Sequence, residues 1–223
     1  MSPVHAAPPP AAPARAQVPA WRLVATLAAA GALAGLLIVL VFRWAQPRIL
    51  EHQAQALQGA VAEVLKAPAS VERYFVHGSD LLAELPSGVD SMRIDRVFLG
   101  FDEAGAPVGY AVSGGEPGFQ DIIRVLFGYD PRSRALLGMR VLESKETPGL
   151  GDTIEKDSVF VAGFVGTLTP LLGVKPGAGR GEDGEVVMVT GATISSRTVI
   201  AIINHRIEAL HPLLEAHVRS VGQ

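Results

Sequence analysis

The longest apolar run of the chain is LVATLAAAGALAGLLIVLVF, residues 23–42, which contains no charged residue. Wound as a helix, a run of this length rises about 30 Å, the thickness of a bilayer's hydrocarbon core. Trp21 and Trp44 stand at its two ends beside Arg22 and Arg43, and aromatic rings with cationic heads are the groups that settle at the headgroup level. The pattern predicts a retained transmembrane helix. A cleaved leader has a shorter apolar run followed by small residues, whereas Phe-Arg-Trp and a helical segment follow here.

Residues 47–68, PRILEHQAQALQGAVAEVLKAP, place Ile49, Leu50, Leu57, Val61, Val64 and Leu65 at largely helical intervals between Pro47 and Pro68. This is the pattern of an amphipathic linker helix. Beyond Ser70 the period shortens. RVFLGFD, EAGAP and VGYAVSGG read as a hairpin, and IIRVLFGYD, PRSRA and LLGMRVLES read as a second. EVVMVT is expected to join the same antiparallel sheet. The longer period returns in DSVFVAGFVG and in the terminal SRTVIAIINHRIEALHPLLEAHV, which Pro212 is expected to interrupt. Strands mixed with helices, without regular βαβ alternation, predict an α+β domain. The organisation expected is a disordered Pro/Ala-rich tail over residues 1–22, a transmembrane helix over 23–42, an amphipathic linker helix over 43–68 and the α+β domain over 69–223.

Composition narrows the chemistry. The 223 residues are 48% hydrophobic, enough for one domain with a core, and the net charge of −3 supplies no basic excess for nucleic acid. The absence of cysteine removes disulfides, thiolate catalysis and cysteine-ligated clusters. His205, His211 and His217 recur every six residues, about 240° apart on a helix, so they spread around it. Neither a metal site nor a Ser/His/Asp arrangement is expected, and no catalytic residue is assigned. KPGAGRGEDGEV, residues 175–186, is Gly-rich but lacks a following Gly-Lys-Ser/Thr, and reads as a mobile surface loop.

Two segments carry chemistry. MVTGATISSRTV, residues 188–199, sets Thr190, Thr193, Ser195 and Ser196 around Gly191 and Ala192. Such a segment either caps a helix or presents an unhindered hydroxyl beside backbone N–H groups that favour a phosphate. ESKETPGLGD, residues 143–152, forces a turn and lets backbone approach a ligand. By composition alone it is a strand-to-helix loop with Lys145 and Glu146 on solvated surface.

Taken together, ETPGLG at 146–151 and TGATISS at 190–196, ahead of a closing helix and behind a single N-terminal span, resemble the FMN-binding domain shared by two proteins. These are the G subunit of the Rnf electron transport complex and the C subunit of the sodium-translocating NADH:quinone reductase. GYAVSGG and GFQDIIRVLFGYD are similar to that domain too, and the compact spacing with KETPGLGD looks more like the Rnf G subunit. The resemblance makes residues 69–223 an FMN-binding domain, an antiparallel sheet with flanking helices. It implies FMN esterified through its phosphate to Thr193 by a separate flavin transferase, which supplies the activation that a threonine hydroxyl lacks. Gly191 and Ala192 would leave room, and Ser195 and Ser196 would donate to the phosphate. Thr190 would bind or only cap, and Glu146, Thr147, Gly149, Leu150 and Gly151 would line the isoalloxazine. Where the family commonly carries an aspartate, three residues before the Ser/Thr of the motif, this chain has Val187. The implied function is electron relay, without a substrate of its own, among integral membrane subunits of an ion-translocating complex. The domain would lie on the periplasmic side of the cytoplasmic membrane. The alternatives are the quinone-reductase C subunit and a cofactor-free membrane-anchored binding or scaffold module.

Overall fold

Strong helix formers before and after Pro47 carry one helix, α1, from Ala20 to Val64, where the sequence pattern predicts two helices parted at that proline. A proline removes one intrahelical hydrogen bond, and the Ala- and Leu-rich flanks keep the rest. The structure is a computed structural model that describes residues 19–86 and 94–221; the expected tail lies outside the described residues up to position 18. The chain divides into two units, residues 1–52 and 53–223.

In the first unit, every described side chain except that of Ala45 is exposed. Leu27 is 77% exposed and Ile38 70%. This helix is long and apolar enough to cross a membrane, and an exposed apolar surface of that extent is one that a membrane or a protein partner covers. Arg22 lies over the Trp21 ring at 5.4 Å and Arg48 over the Trp44 ring at 4.8 Å.

The second unit is built on a six-stranded antiparallel sheet. Its strands are β1 (Ser70–His77), β2 (Asp80–Leu82), β3 (Arg96–Phe101), β4 (Pro107–Pro117), β5 (Ile122–Asp130) and β6 (Ala135–Glu143), in the order β2-β1-β3-β4-β5-β6. The two predicted hairpins are β3–β4 and β5–β6. Helices α2 (Thr153–Lys156) and α3 (Ser158–Ala162) follow, then β7 (Leu172–Val174), β8 (Glu185–Val187) and α4 (Thr193–Val221). DSVFVAGFVG is therefore helical over five residues only. Asp157 caps this short helix by accepting from Val159 and Phe160 N–H.

EVVMVT does not join the large sheet. Its first residues form β8, which pairs in parallel with β7 as a separate two-stranded sheet. The start of β6 already has its outer edge occupied: Leu136 N–H donates to Thr167 O, Gly166 N–H donates to Leu136 O, and Ala135 bridges Leu168. The Gly-rich stretch between β7 and β8 is tied down, because Glu185 Oε2 accepts from Arg180 and Gly181 N–H at 2.8 and 3.0 Å.

α4 runs through Pro212. Pro212 and Glu208 are both exposed, so the carbonyl that loses its donor lies on the solvent side. The opposite stripe, Val199, Ile202, Ile203, Ile207, Leu210, Leu214 and Val218, is buried in one core with Val97, Leu99, Tyr110, Val112, Val125, Phe127 and Tyr129 of the sheet. The other sheet face takes the end of α1, where Ala60, Val61, Val64 and Leu65 pack with Ala111 and Leu126. This approach is close enough to exclude a side chain at position 128, since a Cβ there would overlap the Val64 carbonyl oxygen. Gly128→Ala is expected to cost about 2 kcal/mol of stability, read as a lower urea midpoint. An unchanged midpoint would mean that α1 ends away from the sheet.

The three histidines of α4 each find a sheet partner, despite their angular spread. Tyr129 Oη lies 2.8 Å from His211 Nδ1, Tyr110 Oη lies 2.7 Å from His217 Nδ1, and His205 Nδ1 lies 2.7 Å from Glu116 Oε1. Burial lowers the His217 pKa, and the charge of Glu72 offsets this only in part. As pH falls through the ordinary histidine range the unfolded chain gains a proton that the fold resists, so stability drops. His205 has the opposite sign, raised by its hydrogen bond to Glu116. At 64% exposure that pair is largely screened. His217→Gln, which keeps a partner for Tyr110, is expected to flatten the fall in melting temperature between about pH 7 and about pH 5. Parallel profiles for variant and wild type would clear His217 of the effect.

Candidate functional site

Three segments meet at one end of the sheet: the turn at residues 118–121 between β4 and β5, the loop at 144–152 after β6, and the first turn of α4. A single carboxylate joins them. Glu146 is 5% exposed. Its Oε1 accepts from Gln120 N–H at 3.0 Å and Asp121 N–H at 3.5 Å, and its Oε2 accepts from the Ser195 hydroxyl at 2.8 Å. Thr147 reinforces the junction by donating its hydroxyl to Gln120 Oε1 at 3.0 Å. Burial pushes the Glu146 carboxyl up. The hydrogen bonds from Gln120, Ser195, Asp121 and Phe119 outweigh it and hold the pKa below the usual carboxylate value.

Two glycines admit that carboxylate. A Cβ at Gly118 would sit 2.5 Å from Glu146 Oε1, and one at Gly151 would sit 2.6 Å from Glu146 Oε2 and 3.0 Å from Ser195 Oγ. Gly191 turns the chain into α4 at φ +86°. Ser196 N–H donates to Ala192 O at 2.8 Å, so Ala192 holds the N-cap position. Alanine has no side-chain acceptor, and the first N–H groups of α4 are left without a side-chain cap from it.

The result is a cleft of about 330 Å³ lined by Phe119, Glu146, Thr147, Leu150, Gly151, Gly191, Ala192, Thr193, Ile194 and Ser195. The sequence-predicted residues Glu146, Thr147, Leu150, Gly151, Gly191, Ala192, Thr193 and Ser195 are thus brought together. Thr193 is half-buried, and among the described residues its hydroxyl has no side-chain partner. The cleft floor is polar and satisfied, while its rim is apolar: Phe119 is 68% exposed, Leu150 53% and Ile194 51%.

Three predicted residues fall elsewhere. Ser196 is fully buried and its Oγ accepts from Val189 N–H at 3.1 Å, which ties the motif to the segment that follows β8. Thr190 lines a different cleft of about 650 Å³ with Val187, Lys156 and Phe160. Gly149, at φ +76° with open space around it, shapes the loop from outside. Ser195 lies in the cleft, but its hydroxyl is engaged by Glu146. Glu146 also departs from the surface position that composition suggests, whereas Lys145 keeps one, 68% exposed beside Asp121 and Glu143. Phe119 is missed because nothing in the pattern separates an exposed aromatic in a turn from a buried one, and Ile194 because an apolar residue in the first turn of a helix reads as core. Among the described residues no cluster of His, Asp and Glu suits a metal.

An uncapped helix start suits a phosphate, and a glycine-lined cleft with an apolar rim suits a flat ring. The residues present therefore fit a flavin nucleotide, and fold and cleft together define an FMN-binding domain behind an apolar N-terminal helix. Residues 118–208, which contain all three segments, match the family model of the FMN-binding domain. The G subunit of the ion-translocating oxidoreductase complex of Methanosarcina acetivorans is 28% identical over 187 residues, 84% of this chain and 92% of the relative. Its counterpart in Pseudomonas aeruginosa is 32% identical over 178 residues, 75% of this chain and 78% of the relative. The chain belongs to the family of G subunits of the ion-translocating oxidoreductase complex. The fold is shared with NqrC of Shewanella oneidensis, at 18% identity and TM-score 0.64 over 74% of this chain and 99% of that one. It is also shared with the C subunit of the Na(+)-translocating NADH-quinone reductase of Parabacteroides distasonis, at 19% identity and TM-score 0.59 over 75% and 96%.

Proposed function

We propose that this chain relays electrons within an ion-translocating oxidoreductase complex through one FMN held covalently by a phosphoester on Thr193 Oγ1. The observation that carries the reading is the position of Thr193, half-buried at the start of α4 and without a side-chain partner for its hydroxyl among the described residues, in the cleft that also receives the ETPGLG loop. The N–H groups of the first turn and the positive end of the helix dipole would face the phosphate. Leu150 and Ile194 supply apolar walls, and the backbone at Gly191, with nothing nearer than Leu150 at 3.9 Å to where a Cβ would stand, leaves space for a planar ring. When bound, FMN supplies one- and two-electron transfer.

Attachment needs help from outside the chain. Glu146, the carboxylate of the cleft, already accepts hydrogen bonds from Gln120, Asp121 and Ser195, and it is held ionised, not poised as a base. A flavin transferase would provide the base and the activated flavin nucleotide. The Thr193 proton passes to that base as the Oγ1–P bond forms, and the nucleotide's leaving group departs with the electron pair of the broken P–O bond.

The partners would be the integral membrane subunits of the complex. Ion movement belongs to them, because residues 23–42 carry no charge that could conduct an ion. The FMN domain would face the periplasm, and a cysteine placed within residues 177–184 would then react with an impermeant thiol reagent in intact spheroplasts. The decisive test is the intact mass of the chain co-expressed with a flavin transferase. It is expected to rise by one FMN less one water, with the addition mapping to the peptide containing Thr193. A colourless protein of unmodified mass would favour the cofactor-free scaffold.

A further inference from the structure

Phe119 is 68% exposed, yet the turn that carries it is tightly built. Gly118 N–H donates to Asp121 O at 2.8 Å, Gln120 N–H to Glu146 Oε1 at 3.0 Å, and Ile122 N–H to Asp121 Oδ1 at 2.7 Å. Thr147 fixes the Gln120 side chain, and Gly118 has no room for a Cβ against Glu146. A turn so restrained fixes the backbone from which the ring projects, and the ring stands exposed instead of folding back onto the core. Its place is the rim of the cleft, shared with Leu150 and Ile194. A bare phenyl ring held in water by a rigid turn is a surface waiting for an apolar or aromatic face.

We propose that Phe119 is the aromatic wall of the flavin site, its ring packed against the isoalloxazine of the FMN on Thr193. This inference rests on the covalent-FMN reading above. In this arrangement Glu146 has two effects through one carboxylate: Oε2 holds the helix start that meets the phosphate, and Oε1 holds the turn that presents the wall to the ring. The position of the ring is thereby coupled to the position of the tether. A phenyl wall also shields one face of the flavin from water.

The test exploits photochemistry. A phenylalanine ring is too hard to oxidise to quench an excited flavin, whereas an indole or phenol in contact transfers an electron to it and extinguishes its emission. The full-length chain is co-expressed with a flavin transferase as wild type, Phe119→Trp, Phe119→Tyr and Val165→Trp, the last being an exposed site outside the cleft. Native fluorescence is divided by flavin content from absorbance. Phe119→Trp and Phe119→Tyr are expected to lose most of their emission per flavin, with Val165→Trp matching wild type. Emission per flavin unchanged in the Phe119 variants, with flavin bound, would overturn the wall and leave the tether standing. Wild type without flavin would overturn the covalent reading and the wall with it. Should the indole block loading, the smaller Phe119→Tyr decides the matter by the same ratio.

Discussion

Thr193→Ala is expected to leave a folded protein that carries no covalent flavin. The hydroxyl is the sole atom removed that can form the phosphoester, so the loss is complete, not graded. Stability should hardly change. Thr193 opens α4, its hydroxyl has no side-chain partner among the described residues, and alanine is the better helix former. The melting temperature should match wild type while fluorescence on a denaturing gel under ultraviolet light disappears. Thr193→Ser keeps the nucleophilic oxygen but loses the γ-methyl that restricts χ1. It should retain covalent flavin at reduced yield. Thr190 gives the counter-test, because it lines the separate cleft of about 650 Å³. Thr190→Ala should keep its flavin. Fluorescence retained in Thr193→Ala and lost in Thr190→Ala would move the tether to the other cleft and overturn the assignment.

How much of this site is legible in the sequence depends on which physical signal each residue leaves. The apolar run at 23–42 and the terminal helix are visible because burial or lipid contact repeats along a single element. The β3–β4 and β5–β6 hairpins are visible because Asp, Gly and Pro punctuate alternating strands. β1 is not, since its burial is confined to Phe75, with Glu72 and Arg73 exposed, and so it lacks the alternation that marks a half-buried strand. β8 reads as a strand but its partner cannot be read, because edge availability on β6 is settled by Thr167 and Leu168, residues of an irregular segment. Pro47 and Pro212 look like breaks because sequence shows the missing N–H and not where the orphaned carbonyl finds itself. The meeting of ETPGLG with TGATISS, some forty residues apart, has no periodic signature and is reached through family resemblance. The burial of Glu146 leaves no mark of its own. It depends on the missing side chains of Gly118 and Gly151, and each glycine alone reads as a turn.

Glu146→Ala is expected to take the cleft apart. The substitution withdraws the acceptor from Gln120 N–H, Asp121 N–H and the Ser195 hydroxyl at once. Hydrogen bonds to a buried charged group are among the stronger ones, and the donors left behind bear their own desolvation cost. A loss of about 3 kcal/mol follows from those magnitudes. Function should suffer more than stability, because the 118–121 turn and the ETPGLG loop lose their common anchor on α4. Covalent flavin yield should collapse even with Thr193 in place. Glu146→Gln separates shape from charge: its amide oxygen can still accept from Gln120, and its NH2 can donate to Ser195 Oγ with reversed polarity. A smaller loss, about 1 kcal/mol, is expected. The pH dependence identifies the cause. Because the folded carboxyl is held below its ordinary value, its contribution is complete above the unfolded carboxylate pKa and disappears as pH falls through the depressed folded value. Urea midpoints measured from neutral pH down into the acid range should therefore fall more steeply for wild type than for Glu146→Gln, with the two converging at the acid end. If the gap between them stays constant over that range, the carboxylate's charge contributes nothing and Glu146 acts by shape alone. If Glu146→Ala still loads flavin as wild type does, the three segments are held together by something other than this side chain.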